Sequence, residues 1–300
     1  MPNRRPAGAS RRPVKSYSTD LFTLRTEDGV TIDGALFVPL RVEAIATAVL
    51  IVHGKTSNFY SGLGRTLPPL LANDGISSFS INLRCHDLGY ARPDLRGSVS
   101  PDAFTMAGGA WERLEDGHKD IKAGVELLRQ LGYSQIVLCG HSSGGYYAVD
   151  YLSRSNQVAA LVLLSPLTTT KTALSFWFES EEERQAARRQ AEALVAEGRG
   201  HHLLPLPSWY WAISAASLLD RFHERQGWFD DALAKVRLPT LWLAGSMESR
   251  LELWRRSCER LPSIAKQFTV IDGADHHYSG RERSVYEALR EFIGRYVVAL

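Results

Sequence analysis

No run of this sequence approaches the length of a membrane span, and charge of neither sign dominates it. Its 35 lysines and arginines face 33 aspartates and glutamates, a formal net charge of +2. That excess is too small to point to nucleic acid or an anionic membrane as a partner. Cysteine is scarce. Cys85, Cys139 and Cys258 form no close pair, which excludes a disulfide framework and the CxxC spacing of zinc or redox sites. Cys139 sits inside an apolar run and reads as a small core residue. The early basic run Arg4, Arg5, Arg11, Arg12 and Lys15 has no apolar stretch, so it is not a secretory signal. We expect it to form a solvated, disordered tail over residues 1–18. These absences describe a soluble, cytoplasmic chain without nucleic-acid partners or a membrane span.

What is present is ordinary globular material, 44% hydrophobic and 23% charged, long enough for one large core. Leu21 to Arg25 and Val30 to Val38 flank the turn signal Asp28-Gly29 and predict an antiparallel hairpin at a sheet edge. Ala46 to Val52, Ile136 to Cys139, Ala159 to Leu164 and Thr240 to Ala244 are nearly continuous apolar runs. Strands covered on both faces read this way, which predicts a parallel sheet. Between them, Ile121, Val125, Leu128 and Leu131 recur at helical spacing ahead of Gly132, and Val285, Leu289, Phe292, Ile293 and Tyr296 do the same. The alternation predicts an α/β fold with a doubly wound, mostly parallel sheet.

Between Thr168 and Leu238 no strand is expected, yet the stretch is too long for a plain loop. Ser180 with Glu183 forms a capping box ahead of an Ala- and Glu-rich run that ends at Gly198. Leu206 to Phe222 follows with Trp209, Tyr210, Trp211 and Phe222. We therefore expect a helical cap over residues 168–238, inserted into a core of residues 19–167 and 239–300.

The strongest motif is Gly140-His141-Ser142-Ser143-Gly144-Gly145. It stands between the buried strand Ile136 to Cys139 and a helical pattern through Tyr146, Val149, Tyr151 and Leu152. A serine on a sharp strand-to-helix turn presents its hydroxyl outward, and small residues two places to either side relieve the crowding. The helix that follows aims backbone N–H groups at a developing negative charge.

On these residues the sequence resembles the α/β-hydrolase superfamily, and the resemblance runs from about residue 20 to the end. It implies Ser142 as nucleophile. His53-Gly54 closes an early strand where that family has its oxyanion turn. The backbone N–H of Lys55, or of Thr56, would then join that of Ser143 as the oxyanion hole. Asn82-Leu83-Arg84-Cys85-His86-Asp87 is similar to the family's Arg-Gly-His-Gly turn, with Cys85 and Asp87 in place of the glycines. Gly273-Ala274-Asp275-His276-His277-Tyr278 resembles the histidine loop and implies His276 as base, with His277 the competitor. Asp275 is read as a loop-structuring residue. After the strand Pro239 to Gly245, the acid position holds Glu248, with Glu252 as the fallback.

This arrangement implies hydrolysis of an ester, thioester or lactone through an acyl-enzyme, without metal or organic cofactor. An amide hydrolase and an acyltransferase share that intermediate. A non-catalytic ligand receptor on the same fold is the reading from another class. The aromatic cap implies a small-molecule substrate with apolar or aromatic parts, and His141, Trp177, Trp209 and Trp211 are candidates to touch it. His201 and His202 lie near Gly198 without a carboxylate or cysteine at ligand spacing and read as exposed loop histidines. Oligomeric state is left open.

Overall fold

The computed structural model describes residues 16–40, 46–93, 104–208, 211–224, 226–263 and 265–297. Strands are β1 (Tyr17–Arg25), β2 (Thr31–Pro39), β3 (Thr47–Val52), β4 (Ser77–Ile81), β5 (Tyr90–Pro93), β6 (Phe104–Ala107), β7 (Gln135–His141), β8 (Ala160–Leu164), β9 (Leu203–Pro205), β10 (Ala212–Ser214), β11 (Thr240–Gly245) and β12 (Lys266–Ile271). Helices are α1 (Gly62–Asn73), α2 (Gly117–Gln130), α3 (Ser143–Arg154), α4 (Thr170–Trp177), α5 (Glu181–Ala196), α6 (Ala215–Phe222), α7 (Trp228–Leu233), α8 (Leu251–Glu259) and α9 (Glu282–Tyr296).

The main sheet has eight strands in the order β1-β2-β4-β3-β7-β8-β11-β12. The predicted hairpin β1–β2 is antiparallel at one edge, and β2 pairs antiparallel with β4. From β4 to β12 every pairing is parallel. The apolar runs that predicted buried strands are buried at every residue of β3, β8 and β11. Alternate side chains serve opposite faces, as the two-residue period of a strand requires. Leu50 and Val52 of β3 join a core with α2, α3, α7 and α8, whereas Val49 and Ile51 pack with α1 and α9. The sheet is thus doubly wound.

Tyr17 and Ser18, assigned to the tail from the sequence, instead pair with Pro39 and Val38 in β1. The rest of the expected basic run, residues 1–15, lies outside the described residues.

Over the sheet lies a third apolar cluster, built from Leu174, Trp177 and Phe178, Ala191, Leu204 and Leu206, Ile213, and Ala215, Leu218 and Leu219. The Ser180 hydroxyl accepts from the Glu183 N–H at 3.1 Å, so the capping box starts α5 as read, and Gly198 follows the helix with φ of 73°. The expectation of no strand in this stretch is corrected. β9 and β10 form an antiparallel pair, and α6 begins only at Ala215. Pro205 and Pro207 explain the difference, since a fixed φ and a missing N–H keep the chain extended there. Trp209 and Tyr210 lie outside the described residues.

Candidate active site

β7 ends at His141 and α3 begins at Ser143, which leaves Ser142 alone on the turn. Its backbone, at φ 53° and ψ −119°, is one that L-residues rarely adopt. Three bonds hold it there: Ser142 N–H to Leu164 O at 2.9 Å, Leu167 N–H to Ser142 O at 2.9 Å, and Gly145 N–H to Ser142 O at 3.0 Å. The flanking glycines are obligatory. A Cβ on Gly140 would stand 2.5 Å from the Gly144 carbonyl oxygen, and one on Gly144 would stand 2.4 Å from that of Val52.

Three loops at the C-terminal ends of the parallel strands converge on this hydroxyl. His276 Nε2 lies 3.1 Å from Ser142 Oγ, and His276 Nδ1 lies 2.9 Å from Glu248 Oε1. With Nδ1 protonated, Nδ1–H donates to the carboxylate and Nε2 is left to accept from the serine hydroxyl. Met247 N–H donates to Ala274 O at 3.1 Å and Gly273 N–H to Ser246 Oγ at 2.8 Å, so the acid loop and the histidine loop are stitched together. Burial pushes the Glu248 carboxyl up, but the hydrogen bond and charge of His276, with Ser165 and Arg250, together outweigh it and hold the group below its ordinary range. It is therefore a carboxylate at neutral pH.

The alternatives lie elsewhere. Glu252 pairs with Arg256 at 2.9 Å on the exposed side of α8, and His277 is exposed. Asp275 Oδ1 accepts from the N–H groups of His277 and Ser279, each at 3.0 Å, and so shapes the loop. His141 Nε2–H donates to the carbonyl of His276 at 2.8 Å, which commits this side chain to the histidine loop.

The His53-Gly54 turn comes against Ser142 at Gly54, where a Cβ would stand 2.9 Å from Ser142 Cβ and 3.4 Å from its Oγ. His53 locks this turn from inside. Its Nδ1–H donates to Gly54 O at 2.7 Å and its Nε2 accepts from Leu83 N–H at 2.9 Å. Burial drives its pKa down to about 4, so it stays neutral. Thr56 follows with φ of 58°. Among the described residues, the backbone N–H groups of Lys55, Thr56 and Ser143 donate to no other group. Nearby, Asp87 takes φ of 52° in the position where the resemblance expects glycine, a conformation that aspartate tolerates. Its carboxylate is held by Asn58, Tyr60 and His86.

The side chain of Lys55 was not anticipated. It is partly buried, with Nζ donating to Gly109 O and to Glu112 Oε2, each at 2.6 Å. The same Glu112 oxygen bonds Arg221 of α6, and the other accepts from the Tyr147 hydroxyl. Lys55 Nζ also lies 5.5 Å from the ring of Trp177 and 5.8 Å from that of Trp211. Two of the tryptophans expected to face a substrate are thus brought to Lys55, and Trp209 lies outside the described residues. No sequence spacing links positions 55, 112, 147 and 221, so pattern reading had no signal for this cluster. Ser165 was also missed. It is fully buried, adopts φ of 42°, and shares a 2.8 Å hydrogen bond with the hydroxyl of Tyr278, which itself lies 3.0 Å from Leu243 O. Among the described residues, no group of histidine, cysteine, aspartate or glutamate side chains has the arrangement of a metal site.

The profile of the alpha/beta hydrolase family matches residues 49–288, and the chain belongs to that family. Among solved structures it is similar to Est1E from Butyrivibrio proteoclasticus bound to ferulic acid, at 17% identity and a TM-score of 0.68, covering 91% of this chain and 98% of that one. An esterase of Pyrococcus furiosus is similar at 16% identity and a TM-score of 0.66, covering 98% and 97%. A dienelactone hydrolase from Anabaena variabilis is similar at 16% identity and a TM-score of 0.58, covering 94% and 100%. No curated protein gives a significant match to the sequence.

Proposed function

We propose that this chain is a serine hydrolase that cleaves a carboxylic ester, thioester or lactone through an acyl-enzyme on Ser142. One observation carries the reading: a continuous Ser142–His276–Glu248 hydrogen-bond relay, at 3.1 and 2.9 Å, on a strained turn facing free backbone N–H groups. His276 Nε2 removes the hydroxyl proton as Ser142 Oγ attacks the carbonyl, and Glu248 stabilises the imidazolium that forms. The N–H groups of Ser143 and of Lys55 hold the oxyanion. His276 returns the proton to the leaving group, then activates water to release the acid. Esterases among the similar structures support ester chemistry as the class. Trp177 and Trp211 support a substrate with apolar or aromatic parts.

The described residues hold no helix long and apolar enough to cross a membrane, and all three thiols are free and buried. The free thiols support action in the cytoplasm, where thiols stay reduced. The test is mass spectrometry after treatment with a fluorophosphonate probe. One adduct on Ser142, lost in Ser142→Ala and His276→Ala, supports the proposal. A folded wild-type protein that takes no label overturns it in favour of a ligand receptor.

A further inference from the structure

Beneath the relay, the short segment 164–167 holds all three of its arms. Ser165 follows β8 directly, is fully buried, and takes φ of 42°. A serine in that region persists only where its surroundings over-determine it. On the nucleophile side, Leu164 O accepts the Ser142 N–H at 2.9 Å, and the Leu167 N–H donates to Ser142 O at 2.9 Å. Pro166 packs so closely against the start of α3 that a Cβ on Gly145 would stand 2.7 Å from the Pro166 Cβ. On the acid side, the Ser165 N–H donates at 2.9 Å to Leu243 O of β11, the strand that runs into the Glu248 loop. On the histidine side, Ser165 Oγ meets the Tyr278 hydroxyl at 2.8 Å. Tyr278, fully buried at φ of 56°, closes the turn around His276 by donating its N–H to Asp275 O at 3.2 Å.

Counting protons gives this contact a direction. Each hydroxyl has one proton to donate and two lone pairs to accept with. Two acceptors lie within reach of the Tyr278 proton, Leu243 O at 3.0 Å and Ser165 Oγ at 2.8 Å. Leu243 O is already served by the Ser165 N–H, and Ser165 Oγ is the nearer. With the Tyr278 proton on that bond, the Ser165 proton is free for Glu248, whose side chain Ser165 also hydrogen-bonds. Glu248 is a carboxylate and can only accept. In the reverse direction Ser165 donates to Tyr278, and the carboxylate loses a donor. A carboxylate withdrawn from water favours the arrangement that brings donors to it.

We propose that Ser165 is a positioning residue for the acid of the relay: its hydroxyl accepts from Tyr278 and donates to Glu248, which fixes the carboxylate opposite His276 Nδ1. This deepens the hydrolase reading above and rests on it. Ser165 touches no reacting atom and acts through Glu248. The carboxylate meets His276 at one oxygen, Oε1, at 2.9 Å, and a single contact leaves it free to rotate about that bond. A second donor from a residue that is itself fixed removes that freedom. Because Tyr278 belongs to the same turn as His276, the hydroxyl pair also ties the acid to the loop that carries the base.

The rate of Ser142 labelling by a fluorophosphonate probe tests this without a known substrate, resolved into a maximal rate and a half-saturating concentration. Ser165→Ala is expected to lower the maximal rate about 10- to 100-fold and to leave the half-saturating concentration unchanged. Tyr278→Phe is expected to lower it about 3- to 10-fold, since Ser165 keeps its own proton for Glu248. Added to Ser165→Ala, Tyr278→Phe has no further effect. In a Glu248→Gln background there is no carboxylate to hold, and Ser165→Ala then leaves the rate where Glu248→Gln put it. A serine that only supports the fold would lower the rate by the same factor in both backgrounds, and that result overturns the proposal. A wild-type rate in Ser165→Ala overturns it as well. Should Ser165→Ala fail to give a folded circular-dichroism spectrum, Tyr278→Phe decides, and equal factors in the two backgrounds, or no effect in either, overturn the proposal. Labelling that Glu248→Gln slows and Ser165→Ala does not overturns this proposal alone. A wild-type protein that takes no label overturns the hydrolase reading together with it.

Discussion

His141 donates its Nε2–H to the backbone carbonyl of His276, so the residue before Ser142 carries the loop that presents the His276 imidazole to it. Burial first, and then the neighbouring His276, hold the His141 imidazole at a pKa of about 3, which fixes it as a neutral donor at working pH. Its ring also lies against those of His276, His277 and Tyr278. Because small displacements of a reacting group are costly in rate, His141→Ala is expected to lower kcat by about 10- to 100-fold with little change in KM. His141→Gln keeps a donor and is expected to recover much of the loss. Steady-state kinetics on a 4-nitrophenyl ester check both.

Glu248 reaches His276 across 2.9 Å with a side chain one methylene longer than aspartate. Glu248→Gln abolishes the carboxylate that selects the tautomer, and kcat is expected to fall by about a thousandfold or more. Glu248→Asp keeps the charge but falls short of the imidazole, and a loss of about 10- to 100-fold is expected. Equal activity of wild type and Glu248→Gln would remove Glu248 from the relay.

His53 makes stability depend on pH. Folded, it stays neutral down to about 4, whereas an unfolded histidine takes up a proton near 6.5. Between those values the unfolded chain binds more protons, so stability falls as pH drops through this window and is flat above it. The loss is expected to reach about 2 kcal/mol by pH 5. His141 adds to it with the same sign. Urea unfolding at pH 7.5, 6 and 5 measures the slope, and His53→Gln is expected to flatten it.

At Gly54 the obstacle is Ser142 itself, since a new Cβ would stand 2.9 Å from Ser142 Cβ. Gly54→Ala is therefore expected to cost activity out of proportion to stability, with kcat down about 100-fold and a melting temperature within a few degrees of wild type. At Gly140 the same change meets backbone atoms of Gly144 and Gly145, all within 2.7 Å. Gly140→Ala is expected to destabilise the whole protein by several kcal/mol. Thermal melts beside kinetics separate the two cases.

The sheet and the relay were legible in the sequence because both are written locally. Runs such as Ala159 to Leu164 announce strands buried on two faces, and Gly140 and Gly144 around Ser142 are demanded by the turn between β7 and α3. Glu248 and His276 each follow a recognisable strand. What escaped was long-range or strained. Glu112, Tyr147 and Arg221 meet only through the fold, so no spacing marks them. Ser165 adopts a backbone conformation unusual for serine, and its identity gives no warning of this. β9 and β10 are three residues each, too short for alternation to register against noise.

Arg221 has a mechanical consequence for the upper layer. α6 is bolted down: Arg221 grips Glu112, Asp220 takes the Leu114 N–H, and Ala215, Ser217, Leu218 and Leu219 are all buried. Lifting it would break a buried ion pair, a cost of about 3–5 kcal/mol. In α5, by contrast, only Ala191 is buried, and Arg188 over the Phe222 ring is a contact that water readily replaces. The cap is therefore a roof with one wall nailed and one panel laid loose. Any opening of this layer is therefore cheapest on the α5 side.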